Sequence, residues 1–383
     1  MHGARRLHRE LQDCFPEHSP LLTPRGNTAL YLAFSLIRRR RGGGSVLLPS
    51  TVCPSVALAA VYAGLTPQFC DVEELTFCAS ARTLRERLTP DCVALVVVYL
   101  FGKIPDLDGI LALAREHDFD VIEDAAQAIG GRHSGQLLGS FGHYGVLSFS
   151  DVKVAPGAGG ALLIGRKEEH AEAAAILASL PQAAPAHELG ELATSFRNIT
   201  HGIFDGLRAE GLCRAVRFDQ FFGETYRPLY VHSGAVDEKA SERTADFLQC
   251  LDDERSQRHQ RVRLYNGALV GVSGLVGFSA DEMCWRLPLL LRDHSAQLLA
   301  LSNVRGRKQL ISNHYFPASF LFGDDTCETA RQIGLRAVNL WIDDRIDEEG
   351  ILDTCRVIRA IDEDLNNDED NQHHATATAE LGA

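Results

Sequence analysis

Between residues 45 and 124, short apolar runs of strand length alternate with segments of helical period. SVLLP (45–49) and the continuous apolar run VALVVVYL (93–100) read as buried strands, and TPQFCDV (66–72) and FDVIED (119–124) as the strands between and after them. Between them lie PSVALAAVYAG, with proline at its start and Gly64 at its end, a polar helix around 81–88, and the amphipathic IPDLDGILALAREHD. Strands and helices in this rhythm imply right-handed crossovers and a largely parallel sheet. Ahead of it, residues 1–20 read as a short helix ending before Pro16 and an extended lead-in. A turn at Pro24-Arg25-Gly26 then opens a helix with Leu30, Ala33, Phe34 and Ile37 on one side. Arg38 to Arg41 close that helix at the negative end of its dipole. The Gly42-Gly43-Gly44 run is a connector, because a strand follows it.

After residue 165 the alternation fades. Residues 166–235 read as mostly helical or irregular, and a long helix is expected over 241–269. CWRLPLLL (284–291) and LRAVNLWI (335–342) read as strands, QLISNHYFP (309–317) as strand and turn, and HSAQLLALSNVRGR and EEGILDTCRVIRAIDEDL as helices. The expected organisation is an N-terminal helix and lead-in (1–20), a large α/β domain (21–235) and a smaller α+β domain (236–365). An acidic tail (366–383), poor in apolar residues, is expected to be disordered.

Composition narrows the function classes. With 45% hydrophobic and 23% charged residues in 383, the chain is an ordinary globular one of two-domain size. No apolar run reaches the roughly 20 residues that cross a bilayer, and MHGARRLHRELQDCF has no apolar signal core, so a cytoplasmic protein is expected. A net charge of −13 argues against nucleic-acid or anionic-membrane binding and leaves small anionic ligands open. Ten cysteines form no CxxC pair and no cluster with histidines; Cys53, Cys70, Cys78 and Cys92 lie in or near apolar runs and read as reduced, buried thiols, with no metal expected.

Candidate chemistry concentrates in 119–163. The strand ending at Val121-Ile122 delivers Glu123, Asp124 and Gln127; the one around Val146-Leu147 delivers Ser148, Ser150 and Lys153, followed by Gly157, Gly159 and Gly160. Taken singly, Asp124 reads as a helix cap, Ser148 as a strand-end hydroxyl and Lys153 as a surface charge. Taken together they match what pyridoxal phosphate needs: an amine for its carbonyl, a carboxylate for its ring nitrogen, a donor for its ring oxygen, and hydroxyls with a helix N-terminus for its phosphate. Lys153, Asp124, Gln127, and the Gly26-Asn27-Thr28 turn with Ser148 can meet these needs in turn. A nicotinamide-dependent oxidoreductase would share the sheet but lacks here its G-x-G-x-x-G between first strand and helix.

These motifs carry a resemblance. GNTAL (26–30), P-x(14)-G (49–64), LFGKIPDLDGI (100–110), VIEDAAQAIGG, SFSDVK, Arg258–Tyr265 and LRAVNLWID together resemble the DegT/DnrJ/EryC1/StrS family of PLP-dependent, fold type I sugar aminotransferases. The resemblance implies Lys153 as the catalytic lysine that bonds the cofactor, Asp124 at the pyridine nitrogen and Gln127 at the ring oxygen. It implies Ser148, Asn27 and Thr28 at the phosphate, and His314 on the substrate side. It implies a homodimer, and amine transfer from a glutamate-like amino acid to a nucleotide-linked keto sugar in surface-polysaccharide or secondary-metabolite synthesis. The retained Lys153 separates the chain from the family's dehydratase branch. At the family's cofactor-stacking position stands Cys53, the residues after the lysine read Gly157-Ala158-Gly159-Gly160, and no counterpart of the cross-subunit NYR segment stands near Ser233. These departures motivate a second expectation, a paralogue that keeps the fold and acts by binding or regulation.

Overall fold

A computed structural model describes residues 2–291, 311–312 and 317–363. His314 and the stretch 366–383 lie outside the described residues. By contact density the chain forms two units, one of Met1–Ser256, Phe278–Trp285 and Tyr315–Leu335, the other of Gln257–Gly277, Arg286–His314 and Arg336–Ala383.

In the first unit the elements follow as α1 (His2–Cys14), β1 (Ser19–Thr23), α2 (Gly26–Arg41), β2 (Ser45–Pro49), α3 (Pro54–Tyr62) and β3 (Thr66–Cys70). Next come α4 (Ala81–Arg85), β4 (Cys92–Val98), α5 (Leu107–Glu116), β5 (Asp120–Asp124) and a hairpin of β6 (Arg132–His133) and β7 (Gln136–Leu137). They are followed by β8 (Tyr144–Ser150), β9 (Ala158–Ile164), α6 (His170–Ser179), α7 (Ala186–Ala209), α8 (Phe218–Phe222) and α9 (Glu238–Gln249). The seven-stranded sheet has the order β1-β9-β8-β5-β4-β2-β3. Strands β8, β5, β4, β2 and β3 run parallel; β9 is antiparallel to both its neighbours, as a short β8–β9 connection requires. Burial on both faces explains the apolar runs of β2 and β4; β5 is buried throughout as well, although three of its five residues, Asp120, Glu123 and Asp124, are acidic.

The first unit's core gathers Leu7 and Leu11 of α1, Leu95 and Val97 of β4, Ile110 and Leu113 of α5, and Phe247 and Leu248 of α9. Glu238 ties the start of α9 to α1 by accepting the Gly3 N–H at 2.8 Å.

The arginine run does close α2, but its end is set by tertiary contacts as well as by the dipole. Arg40, Arg41 and Arg166 converge on Asp120, whose side chain is fully buried at the start of β5; the Arg166–Asp120 contact is 2.8 Å and the Arg41–Asp120 contact 3.2 Å. The helix expected over 241–269 is two, because α9 stops at Cys250 and α10 (Leu251–Ala268) starts anew. In the second unit β10 (Arg286–Leu290), β11 (Ile311–Ser312) and β12 (Ala337–Trp341) form an antiparallel sheet in the order β10-β12-β11. A helix the sequence pattern did not single out, α11 (Glu328–Arg336), precedes β12.

Candidate active site

The site is assembled at the carboxyl ends of the parallel strands, where crossovers leave a crevice in such sheets. Alternation along β5 sends Glu123 and Asp124 to opposite faces. Glu123 is fully buried and anchors the loop after β7. Its carboxylate accepts the Gly139, Phe141 and Gly142 N–H groups at 2.8, 2.6 and 2.6 Å, and also the Tyr99 hydroxyl. Burial raises its carboxyl above the usual range even against these four donors. Glu123 thus fixes the strand end from which Asp124 faces the other way.

Asp124 does not cap a helix, since Ala125–Gly130 form turns. Its Oδ1 accepts the Ala126 N–H at 3.1 Å, an Asx turn that leaves Oδ2 free of any such partner. Burial pushes the Asp124 carboxyl up, and the positive charge of Lys153 pulls it back down. That interaction joins the two central residues across the 28 positions between them. Lys153 sits in the turn after β8, its N–H bonded to Ser150 O at 2.9 Å. Beyond the charge of Lys153, a protonated ring nitrogen would supply this carboxylate with a second cationic neighbour.

Gln127 is half-buried, and its Oε1 accepts the Phe101 N–H at 2.7 Å. Pinning the oxygen assigns the amide: the NH₂ group faces away from Phe101 and is free to donate. Phe101 holds φ at +57° and Gly102 at +91°. A Cβ on Gly102 would lie 1.7 Å from Met283 O, so only glycine lets the 283–285 segment approach. That segment carries Trp285, which sequence reasoning missed. The Trp285 N–H donates to Phe101 O at 2.8 Å, its ring stacks on Phe101 at 6.2 Å, and its Nε1–H donates to Val152 O at 2.9 Å. The Lys153 ammonium lies 5.4 Å from the indole centroid. The separation of 132 residues in sequence leaves no local signal for this pairing.

The first turn of α2 is where the sequence places the phosphate ligands. Gly26 packs on Ser148 so closely that a Cβ would fall 2.7 Å from Ser148 Cβ and 2.8 Å from its Oγ. The helix start and the strand-end hydroxyl therefore form one cup. Thr28 has 0% of its surface exposed and its Oγ1 has no hydrogen-bond partner among the described residues. An orphaned hydroxyl in the first turn of a 16-residue helix is the setting in which a phosphate is bound. Asn27 is half-buried beside it.

Cys53 departs from the expectation of a buried thiol. It is exposed, at the N-cap of α3, with its sulfur accepting the Ser55 hydroxyl at 3.1 Å. It brings no ring to the site; the aromatic nearest Lys153 in these contacts is Trp285. Near Ser233 the chain is occupied with itself, since the Ser233 hydroxyl donates to Leu180 O and Pro181 O, each at 3.2 Å. Ala158 opens β9, paired with Ser150. The residues present fit pyridoxal phosphate, on the evidence of the orphaned Thr28 hydroxyl, the glycine-built cup and the Asp124–Lys153 pairing.

The family model described as DegT/DnrJ/EryC1/StrS aminotransferase family matches residues 4–320. The chain belongs to that family. Its members are PLP-dependent, so pyridoxal phosphate is the cofactor. Among sequence relatives, the chain is 38% identical over 128 residues to a UDP-N-acetyl-3-dehydro-alpha-D-glucosamine 3-aminotransferase of Acidithiobacillus ferrooxidans, covering 33% of this chain and 34% of that one. It is 39% identical over 130 residues to GDP-perosamine synthase of Caulobacter vibrioides, covering 34% of each. The matched stretch thus spans about a third of these relatives' length. In fold, the chain is similar to an aminotransferase from Psychrobacter cryohalolentis, with TM-score 0.74, 18% identity, and 96% and 92% of the two chains covered. It is also similar to a sugar aminotransferase from Streptococcus pneumoniae, with TM-score 0.73, 15% identity, and 94% and 92% covered. Membership in the DegT/DnrJ/EryC1/StrS family accounts for the type I α/β fold.

Proposed function

We propose that the chain is a PLP-dependent aminotransferase that moves an amino group from a glutamate-like amino acid to a keto group on a nucleotide-linked sugar. The observation that carries this is a helix start with a buried hydroxyl unpartnered among the described residues, packed on Ser148, together with an amide fixed as a donor and a buried Asp124 that feels the charge of Lys153. Lys153 would bond the cofactor, Asp124 would face its ring nitrogen, Gln127 Nε2 its ring oxygen, and Ser148, Asn27 and Thr28 its phosphate. Pyridoxal phosphate, when bound, supplies an electrophilic carbonyl and a ring that accepts electrons from the carbon losing its proton.

The chain's own part is placement and proton transfer. Lys153 Nζ is a nucleophile only as the free amine, and the same atom can take up and return a proton. The Trp285 ring keeps Nζ on one side of the site. Asp124, held out of water, favours positive charge on whatever it faces. The substrate class follows the two sequence relatives, which are named for UDP- and GDP-linked sugars. A homodimer is part of this reading and is checked by light scattering at micromolar concentration. Among the described residues no helix is long and apolar enough to cross a membrane.

The test is a titration of the purified protein with pyridoxal phosphate, followed by borohydride fixation and peptide mapping. Label on Lys153, and bleaching of the cofactor band by glutamate or glutamine that is abolished in Lys153→Ala, support the proposal. Absence of label on Lys153 refutes it. A labelled protein inert to every amino-acid donor supports instead the binding or regulatory paralogue, for which the exposed Cys53 at the stacking position speaks.

A further inference from the structure

The turn that opens α2 carries a guanidinium without a counter-ion. Arg25 precedes Gly26, and its backbone oxygen accepts the Thr28 and Ala29 N–H groups at 3.1 and 3.2 Å and the Thr23 hydroxyl at 2.9 Å. Its side chain has no hydrogen bond and no ion pair among the described residues. Elsewhere such arginines are matched: Arg40, Arg41 and Arg166 by Asp120, and Arg286 by Asp343 at 2.7 Å. Burial pushes the Arg25 guanidinium below its ordinary range, and the group opposing that shift is Tyr230. Tyr230 is neutral at physiological pH, because burial holds its hydroxyl well above the ordinary value. A half-buried cation with no anion beside it among the described residues is poorly compensated, and an anion that arrives there would restore the balance.

Two further polar atoms at this turn lack partners. Thr28 Oγ1 is one. The other is Nε2 of His232, a residue 3% exposed and close enough to Arg25 that the guanidinium's charge adds to burial in lowering its imidazole. His232 Nδ1 lies 3.3 Å from Ser233 O, which makes Nδ1 the protonated nitrogen and leaves Nε2 bare. A dianion at Arg25 would favour the imidazolium and turn Nε2 into a second donor.

We propose that Arg25 is a phosphate ligand of the site, its guanidinium balancing the charge of the cofactor's 5′-phosphate within the same chain at the N-terminus of α2. This rests on the cofactor reading above. Arg25 lies one residue before the helix start that packs on Ser148, and its planar fork suits two phosphate oxygens while Asn27, Thr28 and Ser148 take the remainder.

The experiment compares pyridoxal phosphate with pyridoxal, which lacks the phosphate, on the full chain and on Arg25→Gln and Arg25→Lys. Binding is read from the cofactor band and from borohydride-fixed label on Lys153. Arg25→Gln should weaken pyridoxal phosphate by about tenfold to a hundredfold and pyridoxal by less than about twofold, with Arg25→Lys in between. Inorganic phosphate should raise the melting temperature of the cofactor-free protein and not of Arg25→Gln. Equal losses for both vitamers would overturn the proposal, because they would mark Arg25 as structural. Unchanged pyridoxal phosphate binding with weakened UDP binding would also overturn it, assigning the guanidinium to the substrate's diphosphate. If the unaltered chain takes up no pyridoxal phosphate, the cofactor reading itself fails, and this proposal with it; if that chain and Arg25→Gln bind it equally, only the proposal fails.

Discussion

Trp285 is the residue on which the placement of Lys153 most depends, and replacing it has a calculable cost. Three contacts end with the indole: the Nε1–H bond to Val152 O at 2.9 Å, the stack on Phe101 at 6.2 Å, and the face presented to Lys153 at 5.4 Å. Each is worth about 1 kcal/mol in a half-buried setting, so Trp285→Leu forfeits about 3 kcal/mol. The stack on Phe101 belongs to stability. The other two contacts hold the turn that carries Lys153, and about half of their loss, about 1 kcal/mol, falling on the placement of Nζ slows its reaction roughly fivefold. Trp285→Phe retains a ring over Phe101 and loses the Nε1–H bond, so its melting temperature should stay within about 1–2 °C of the parent while Lys153 is fixed about twofold more slowly. The assay is the rate at which borohydride traps pyridoxal phosphate on Lys153 under limiting cofactor, alongside a thermal melt. Trapping at the parental rate in Trp285→Leu would refute the positioning role. So would a fall in trapping that merely tracks the fall in melting temperature across both variants.

Three further outcomes are expected. Asp120→Asn leaves three guanidiniums around a neutral amide at a buried position and should cost about 3–5 kcal/mol in urea unfolding, far more than any exposed pair such as Arg85–Glu116. Stability should fall in two steps on acidification. Burial, reinforced by Arg166, lowers the His143 imidazole below 6.5, as burial also lowers those of His18 and His232, so the unfolded chain takes up these protons first and stability declines as pH drops through 6.5; His143→Gln should shrink this step and leave the lower one. Burial opposes ionisation of Asp120, yet its arginines hold it below 3.8, so its contribution is present above that value and is lost at lower pH. Gln127→Glu keeps an acceptor for the Phe101 N–H and removes the amide donor, so cofactor binding should weaken by about tenfold with little change in melting temperature; unchanged binding would remove Gln127 from the site.

Much of the first unit was legible in the chain because its signals are local. A strand buried on both faces favours an unbroken apolar run, so SVLLP and VALVVVYL announce β2 and β4 within a residue or two, and the alternation of strands and helices places β5 at FDVIED. Strand ends and the first turn of α2 follow from the same pattern, which is why Asp124, Ser148, Lys153 and the Gly26-Asn27-Thr28 turn could be named together. Even a near neighbour can mislead: Asp124 reads as a helix cap, and the structure makes it an Asx turn instead. Tertiary structure alone decided the rest. Lys103 meets Glu282 across 179 positions and Trp285 meets Lys153 across 132, and nothing in either segment's period encodes the partner. The arginine run reads locally as a dipole cap, and only packing shows Arg40 and Arg41 spent on Asp120. The break at Cys250 interrupts a period that would pass as one helix. Arg25 looked like a turn residue; that it stands without an anion beside an orphaned Thr28 hydroxyl is a property of the folded surroundings, because desolvation depends on everything packed around a charge and not on the residues beside it in sequence.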